Sequence, residues 1–302
     1  MFKCITVFIA FLLFTMSFAH AKVIHQERSL YRNILVEDND DLRCLKFNVK
    51  STKTQQSCFL KSQPQQLVFN YTKLLMASLL INTQPKRILI IGLGGGTMSN
   101  TLAQLYPQSQ IDNVEIDPAV IKVARDYFGF FENDKIKTYT QDGRIFIKRA
   151  LLKKQTYDWI ILDAFNGDYI PEHLMTKEFL QEAKALLSNN GILSSNTFSL
   201  SKLYAHESAT YKAVFGDFYQ VANKANSNRI ILVSKKGFAN NSLNNGINEG
   251  NINQLDEKLS LYGVDIQLLY RNMVNTKNKQ NWPENTRVLT DQFSPANLLN
   301  TK

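Results

Sequence analysis

From Lys86 onward the chain alternates between two hydrophobic rhythms. Short apolar runs at 87–91, 111–116, 136–141, 158–162 and 191–197 read as strands. The stretches between them, 97–106, 118–128, 143–153 and 174–187, carry apolar positions at helical spacing. Alternation of this kind predicts a mostly parallel sheet with helices on both faces, an α/β fold. A further helix is expected at 203–215, followed by two strand patterns, "GDFYQVAN" and "NRIILVSKK". Strands so close together, with no crossover helix between them, must run antiparallel.

The flanks follow other patterns. In residues 28–60, "SLYRNILVED" alternates, is stopped by "NDD", and gives way to the alternating "LRCLKFNV". This predicts a hairpin within a small β-strand module over 22–65. "LVFNYTKLLMASLLI" has helical spacing and opens the larger domain, 66–302, with Pro85 as its stop. Residues 239–255 are Asn-rich without an apolar period and read as a loop or insertion. The tail from Leu259 reads as a helix and then an ordered segment, "TRVLTDQFSPANLL". At the other end, Lys3, an apolar run from Ile5 to Phe18 and the small residues Ala19 and Ala21 around His20 form a signal-peptide pattern over 1–21. The run is short for a membrane span, so cleavage after Ala21 and export to the periplasm or medium is expected, with an uncleaved N-terminal anchor as the alternative.

Composition adds limits. With 302 residues, 44% hydrophobic and 20% charged, the chain is globular and long enough for one large domain plus a smaller module. Its net charge of +9 is spread as scattered Lys and Arg, with no basic stretch interleaved with aromatics. That pattern is solvated surface charge and argues against a nucleic-acid partner. Cys4 leaves with the signal, so Cys44 and Cys58 remain, either joined in a disulfide or buried as separate thiols. The absence of a C-x-x-C or His/Cys cluster argues against a structural zinc.

Chemistry is expected where "ILIIGLGGGTMSN" turns from strand to helix. Gly92, Gly94 and Gly96 satisfy G-x-G-x-G, whereas the dinucleotide fingerprint would need glycine where Thr97 stands. A nucleoside without a pyrophosphate is favoured over NAD; the plainer alternative is a glycine turn that only lets helix and strand pack closely. In such sheets ligands sit at the carboxyl ends of the strands. Glu115 there can accept both hydroxyls of a ribose, and Asp142 with the Gly143 amide can read an adenine amino group. Asp163 ends the strand at the middle of the sheet. Each acid also has a structural alternative: Asp117 and Asp142 as helix N-caps, Glu115 as a support for its turn.

A parallel sheet finished by an antiparallel pair is the methyltransferase-type variant of the Rossmann arrangement. The order "ILIIGLGGG", "VEIDPAVI", "DGRIF", "YDWIILDAF", with "QLVFNYTKLL" before it and "IPEHLMTKEF" and "LTDQFSP" after, resembles the spermidine/spermine synthase family of polyamine aminopropyltransferases, in its bacterial spermidine-synthase-like branch. The resemblance covers roughly Ser29 to Leu299 and implies transfer of the aminopropyl group of decarboxylated S-adenosylmethionine to a diamine such as putrescine. No tightly bound cofactor is implied; the nucleoside is a co-substrate. By the same resemblance, Glu115 holds the ribose, Asp142 and Gly143 the adenine, and Gly92, Gly94 and Gly96 line the sulfonium side. Asp163 deprotonates the attacking amine, Tyr71 orients it, and relatives are often homodimers.

The chain departs from that family at three places. Gly95 replaces an Asp that holds the donor's primary ammonium, Asn166 replaces a second acceptor-side Asp, and Thr72 replaces a Gln. Asp168 or Asp291 are the acids in position to compensate. Two alternatives therefore stand beside aminopropyl transfer. One is an S-adenosylmethionine-dependent methyltransferase, the other an exported, non-catalytic polyamine- or nucleoside-binding protein on the same fold.

Overall fold

The computed structural model describes residues 21–47, 55–165, 169–222, 227–238 and 249–294. The expected signal segment up to His20, Asn166, Asp168, most of the Asn-rich stretch and Pro295 lie outside the described residues.

The central sheet is built on a strict two-residue alternation. In β5 (Arg87–Ile91), Ile88 and Ile90 join one hydrophobic cluster, while Leu89 and Ile91 join another on the opposite face. The same division runs through β8 (Tyr157–Leu162), where Trp159 and Ile161 face one way and Ile160 and Leu162 the other. A strand buried on both faces reads as an unbroken apolar run, as these do. β6 (Gln110–Glu115), β7 (Ile136–Thr140) and β9 (Leu187–Phe198) complete the parallel part. β10 (Tyr219–Ala222) and β11 (Asn228–Ser234) pair antiparallel, and β12 (Val274–Asn275) from the tail adds to β10. The eight strands lie in the order β12-β10-β11-β9-β8-β5-β6-β7. The fold is the expected Rossmann-like arrangement of methyltransferase type.

Helices cover both faces. α1 (Asn70–Leu75), running on into a 3-10 turn at Met76–Leu80, and α2 (Thr97–Leu105) pack on the first face. α4 (Gly143–Leu152), α5 (Lys177–Leu186) and α6 (Tyr204–Phe215) pack on the second. α3 (Pro118–Phe128) begins with proline at its first turn, is capped by Asp117, and stops at Gly129 with φ +64°. The expected helix over 174–187 is split: Glu172–Leu174 forms a 3-10 turn, and α5 starts only at Lys177, where the Thr176 side chain caps the Phe179 N–H.

Two sequence expectations need correction at the tail. The Asn-rich stretch is not a loop throughout, because residues 249–255 belong to α7 (Glu249–Ser260). Its weak propensity is overridden by packing, with Leu255 and Leu259 buried in the core and Ile252 against it. The next helix, α8 (Ile266–Asn272), begins later than Leu259 and is capped by Asp265.

The N-terminal module is a four-stranded antiparallel sheet of β1 (Lys22–Arg28), β2 (Asn33–Asn39), β3 (Leu42–Phe47) and β4 (Gln55–Leu60). The β2–β3 hairpin was expected; β1 was not recognised. Ile34, Val36, Leu45 and Phe47 form one face and pack on Val120 and Val123 of α3. Cys44 and Cys58, directly opposed on β3 and β4, form a disulfide with Cα atoms 4.2 Å apart. The small sheet thus stands over the carboxyl ends of the larger one.

Candidate active site

A cavity of about 790 Å³ opens at the carboxyl ends of β5, β6, β8 and β9 beneath the small sheet. Its floor is the glycine turn. Gly92 takes φ +96°, and a Cβ there would lie 2.3 Å from the Asp163 carbonyl oxygen. Only glycine fits that close approach. It places the end of β8 directly beside the loop, an arrangement fixed by Gly92 N–H donating to Val114 and Asp163 N–H donating to Ile91. Gly94 also lines the cavity, with φ +54°. Gly96 does not: it caps α2 at φ +77°, and a Cβ there would strike Phe130. It shapes the turn without facing the ligand space.

Glu115 and Asp142 each do two jobs. The Glu115 carboxylate lines the cavity and accepts the Leu93 and Asp117 N–H groups, both at 3.1 Å. Burial raises its pKa, and the two backbone donors and the nearby Arg32 charge oppose that rise. Its remaining lone pairs stay open to a diol, since a carboxylate has about four acceptor positions. Asp142 caps α4 by accepting the Ile145 N–H at 3.0 Å, and its other oxygen accepts from His173 Nε2 at 2.7 Å. Burial pushes its pKa up, but the His173 and backbone hydrogen bonds prevail and hold it below the ordinary carboxylate value. Gly143 follows at the cavity edge, so close to Ile91 that a Cβ would lie 2.5 Å from it. The structural and the ligand-facing readings of these acids are compatible.

Asp163 differs. It lies half-buried in the cavity wall, and among the described residues its carboxylate accepts from side chains alone: Asn196 Nδ2 at 2.9 Å and the Tyr71 hydroxyl. The Asn196 amide is itself oriented by Asn228, whose Nδ2 donates to Asn196 Oδ1 at 3.0 Å. Burial raises the Asp163 pKa to about 7 despite the two hydrogen bonds. Tyr71 is pushed well above its ordinary value by burial and by the neighbouring Asp163 charge, so it remains a neutral donor. Tyr71, Asp163, Asn196 and Asn228 therefore form one continuous wall of the cavity.

His173, Asn196, Asn228, Ser57 and Arg32 also line the cavity and were missed in the sequence. The succession Ser194, Ser195, Asn196, Thr197 on a buried central strand was the available signal. Thr72 reaches the cavity but its hydroxyl donates to the Phe69 carbonyl at 2.6 Å. Asp291 does not line the cavity; it is held by Arg144 at 2.7 Å and Thr176 at 2.7 Å. Gly95 faces away, where a Cβ would lie 2.7 Å from Ser57 Oγ and 2.9 Å from Phe128.

Fold and crevice together define a Rossmann-like domain of methyltransferase type with a nucleoside-sized site at the glycine turn. Residues 68–238 match the spermine/spermidine synthase domain. The chain is 46% identical over 290 residues to the polyamine aminopropyltransferase of Vibrio vulnificus (strain CMCP6), with 95% of each chain covered. Its fold is similar to a probable spermidine synthase from Corynebacterium glutamicum, 22% identical with TM-score 0.67, covering 89% of this chain and 97% of that one. It is also similar to a spermidine synthase in complex with the transition-state analogue AdoDATO, 18% identical with TM-score 0.61, covering 82% and 88%. The chain belongs to the spermine/spermidine synthase family.

Proposed function

We propose that this transferase moves an aminopropyl group from decarboxylated S-adenosylmethionine to a diamine such as putrescine, with Asp163 as the base. The observation that carries the reading is a carboxylate tuned to about 7 at the amine end of a cavity whose other end offers Glu115 and Asp142. A general base works best when its pKa lies near the working pH. The roles follow from the chemistry. Glu115 accepts the ribose hydroxyls, Asp142 and the Gly143 amide take the adenine edge, and Gly92 and Gly94 let the backbone approach the sulfonium. An incoming ammonium rests on Asp163 and Tyr71 and gives one proton to the Asp163 carboxylate. The freed nitrogen lone pair attacks the aminopropyl methylene carbon bound to sulfur. The C–S bond breaks, its electron pair stays on sulfur, and neutral 5′-methylthioadenosine leaves.

The Cys44–Cys58 pair supports export to an oxidising compartment, where disulfides persist. The test of function is release of 5′-methylthioadenosine by the protein from Lys22 onward, given the decarboxylated donor and a panel of diamines. Release should require a diamine, and Asp163→Asn should lower kcat by about 100- to 10,000-fold with folding intact. A methylated amine formed from S-adenosylmethionine would replace this reading with methyl transfer, and bound nucleoside without any product would replace it with a binding protein.

A further inference from the structure

Arg32 follows the β1–β2 turn and lines the cavity. One guanidinium reaches both sides of the crevice. Its Nη1 donates to the Phe165 carbonyl, beyond β8, at 3.3 Å, and its Nε lies 3.6 Å from Asp117, beyond β6. Since β5 stands between β8 and β6 in the sheet, Arg32 spans the crevice above the glycine turn that follows β5.

The side chain is only 12% exposed, and its guanidinium carbon lies 4.3 Å from the centre of the Phe47 ring. Its Nε is buried with no hydrogen-bond partner among the described residues. Asp117 offers charge at long range but little more. One of its oxygens already accepts from Ala119 N–H at 3.0 Å, and the other from Ser29 Oγ at 2.6 Å. A desolvated guanidinium with unmade hydrogen bonds is costly, and its planar fork matches a carboxylate.

Two hydroxyls also line the cavity near the glycine turn. Ser57 Oγ and Thr97 Oγ1 lie 3.2 Å apart there, and Ser57 with Phe128 fills the space beside Gly95. A donor tail crossing the glycine turn meets these hydroxyls, the Arg32 guanidinium and the Glu115 and Asp163 carboxylates. The carboxylates remain for a tail's ammonium, and a tail that also carries a carboxylate finds its partner in Arg32.

We infer that Arg32 makes the donor subsite a reader of a carboxylate, so that S-adenosylmethionine, with its carboxylate intact, binds across the glycine turn with Arg32 as its anchor. The inference rests on reading the cavity as a sulfonium-nucleoside site, and it adds that this site does not exclude the carboxylated nucleoside.

Calorimetry on the intact mature protein tests it with three ligands: S-adenosylmethionine, its decarboxylated form, and 5′-methylthioadenosine, which has no tail. The wild type should bind S-adenosylmethionine at least as tightly as the decarboxylated form. Arg32→Gln should weaken S-adenosylmethionine about tenfold or more, change 5′-methylthioadenosine less than about twofold, and leave the decarboxylated form unchanged or tighter. Arg32→Lys, which keeps the charge and loses the fork, should fall between and guards against a folding defect in the first variant. Equal weakening of all three ligands would overturn the inference, because Arg32 would then hold the ribose or the crevice wall. No effect on any would overturn it as well. Failure of the wild type to bind any of the three would instead bring down the nucleoside reading on which it rests.

Discussion

Glu115 and Asp142, at the ends of β6 and β7, each accept hydrogen bonds from backbone N–H groups, whereas Asp163, at the end of β8, accepts among the described residues from the side chains of Asn196 and Tyr71. Backbone donors fix an acid's position and lower the cost of its charge. Glu115 and Asp142 are thereby suited to stay in place and accept hydrogen bonds from a ligand. Asp163 has no backbone donor to its carboxylate among the described residues, so burial makes its charge expensive and raises its pKa to about 7. Position is the product of one end of the crevice, and proton affinity the product of the other.

The largest effect expected from breaking this division comes where the two ends meet. Gly92→Ala would set a Cβ 2.3 Å from the Asp163 carbonyl oxygen at a φ of +96°, against the backbone of Asp163 and Ala164. Thermal unfolding should show a loss of about 3 kcal/mol or more, with nucleoside binding lost alongside. A mild effect would mean that the two strand ends are not held as closely as the turn implies.

A second effect runs the other way. Asp163 has a folded pKa of about 7, above its ordinary 3.8, so the folded state holds a proton that the unfolded state lacks between those values. Its contribution to stability is complete below about 4 and is lost as pH rises through about 7. Asp163→Asn removes the titration. It should therefore gain on the wild type across that window, by about 2 kcal/mol at pH 8 after allowing for contact with cavity water. Equal pH dependence in both proteins, measured by urea unfolding, would show that the charge is not costly. The corresponding change at Glu115, whose oxygens hold two backbone N–H groups, should destabilise the protein.

Smaller still is the effect of the amide wall. Asn196→Leu removes a donor that lowers the Asp163 pKa, so the midpoint of kcat/KM against pH should move up by about one unit. Asn228→Ala, which leaves the Asn196 donor in place but releases its amide, should move it less. A fall in rate with no shift in midpoint would make Asn196 a part of substrate binding rather than a positioning residue for Asp163.

Much of the glycine turn and the β6–β7 side of the cavity was legible in the sequence because its signals are local. A buried run, a glycine turn and an acid at a strand end occupy a few consecutive residues, and the sheet aligns such ends without further information. The wall around the end of β8 was legible only at Tyr71 and Asp163. Asn196 and Asn228 belong to neighbouring antiparallel strands, and nothing short of the strand pairing brings them to Asp163. Arg32 and Ser57 come from a separate sheet whose placement depends on packing against α3. Composition misled at α7, where Asn and Gly hid the spacing of Ile252, Leu255 and Leu259 that buries one helix face. Gly96 showed the reverse: its place in the motif suggested ligand contact, and its positive φ at the start of α2 accounts for it instead.

The most direct measurement is the titration of Asp163 itself, followed by carboxyl carbon-13 NMR of the ligand-free protein with Asp163→Asn used to assign the signal. A midpoint near 7, moving upward in Asn196→Leu, is the result expected if Asp163 is the proposed base. A midpoint near 4, unmoved by the loss of Asn196, would contradict it and leave Asp163 as one more hydrogen-bond acceptor in the wall.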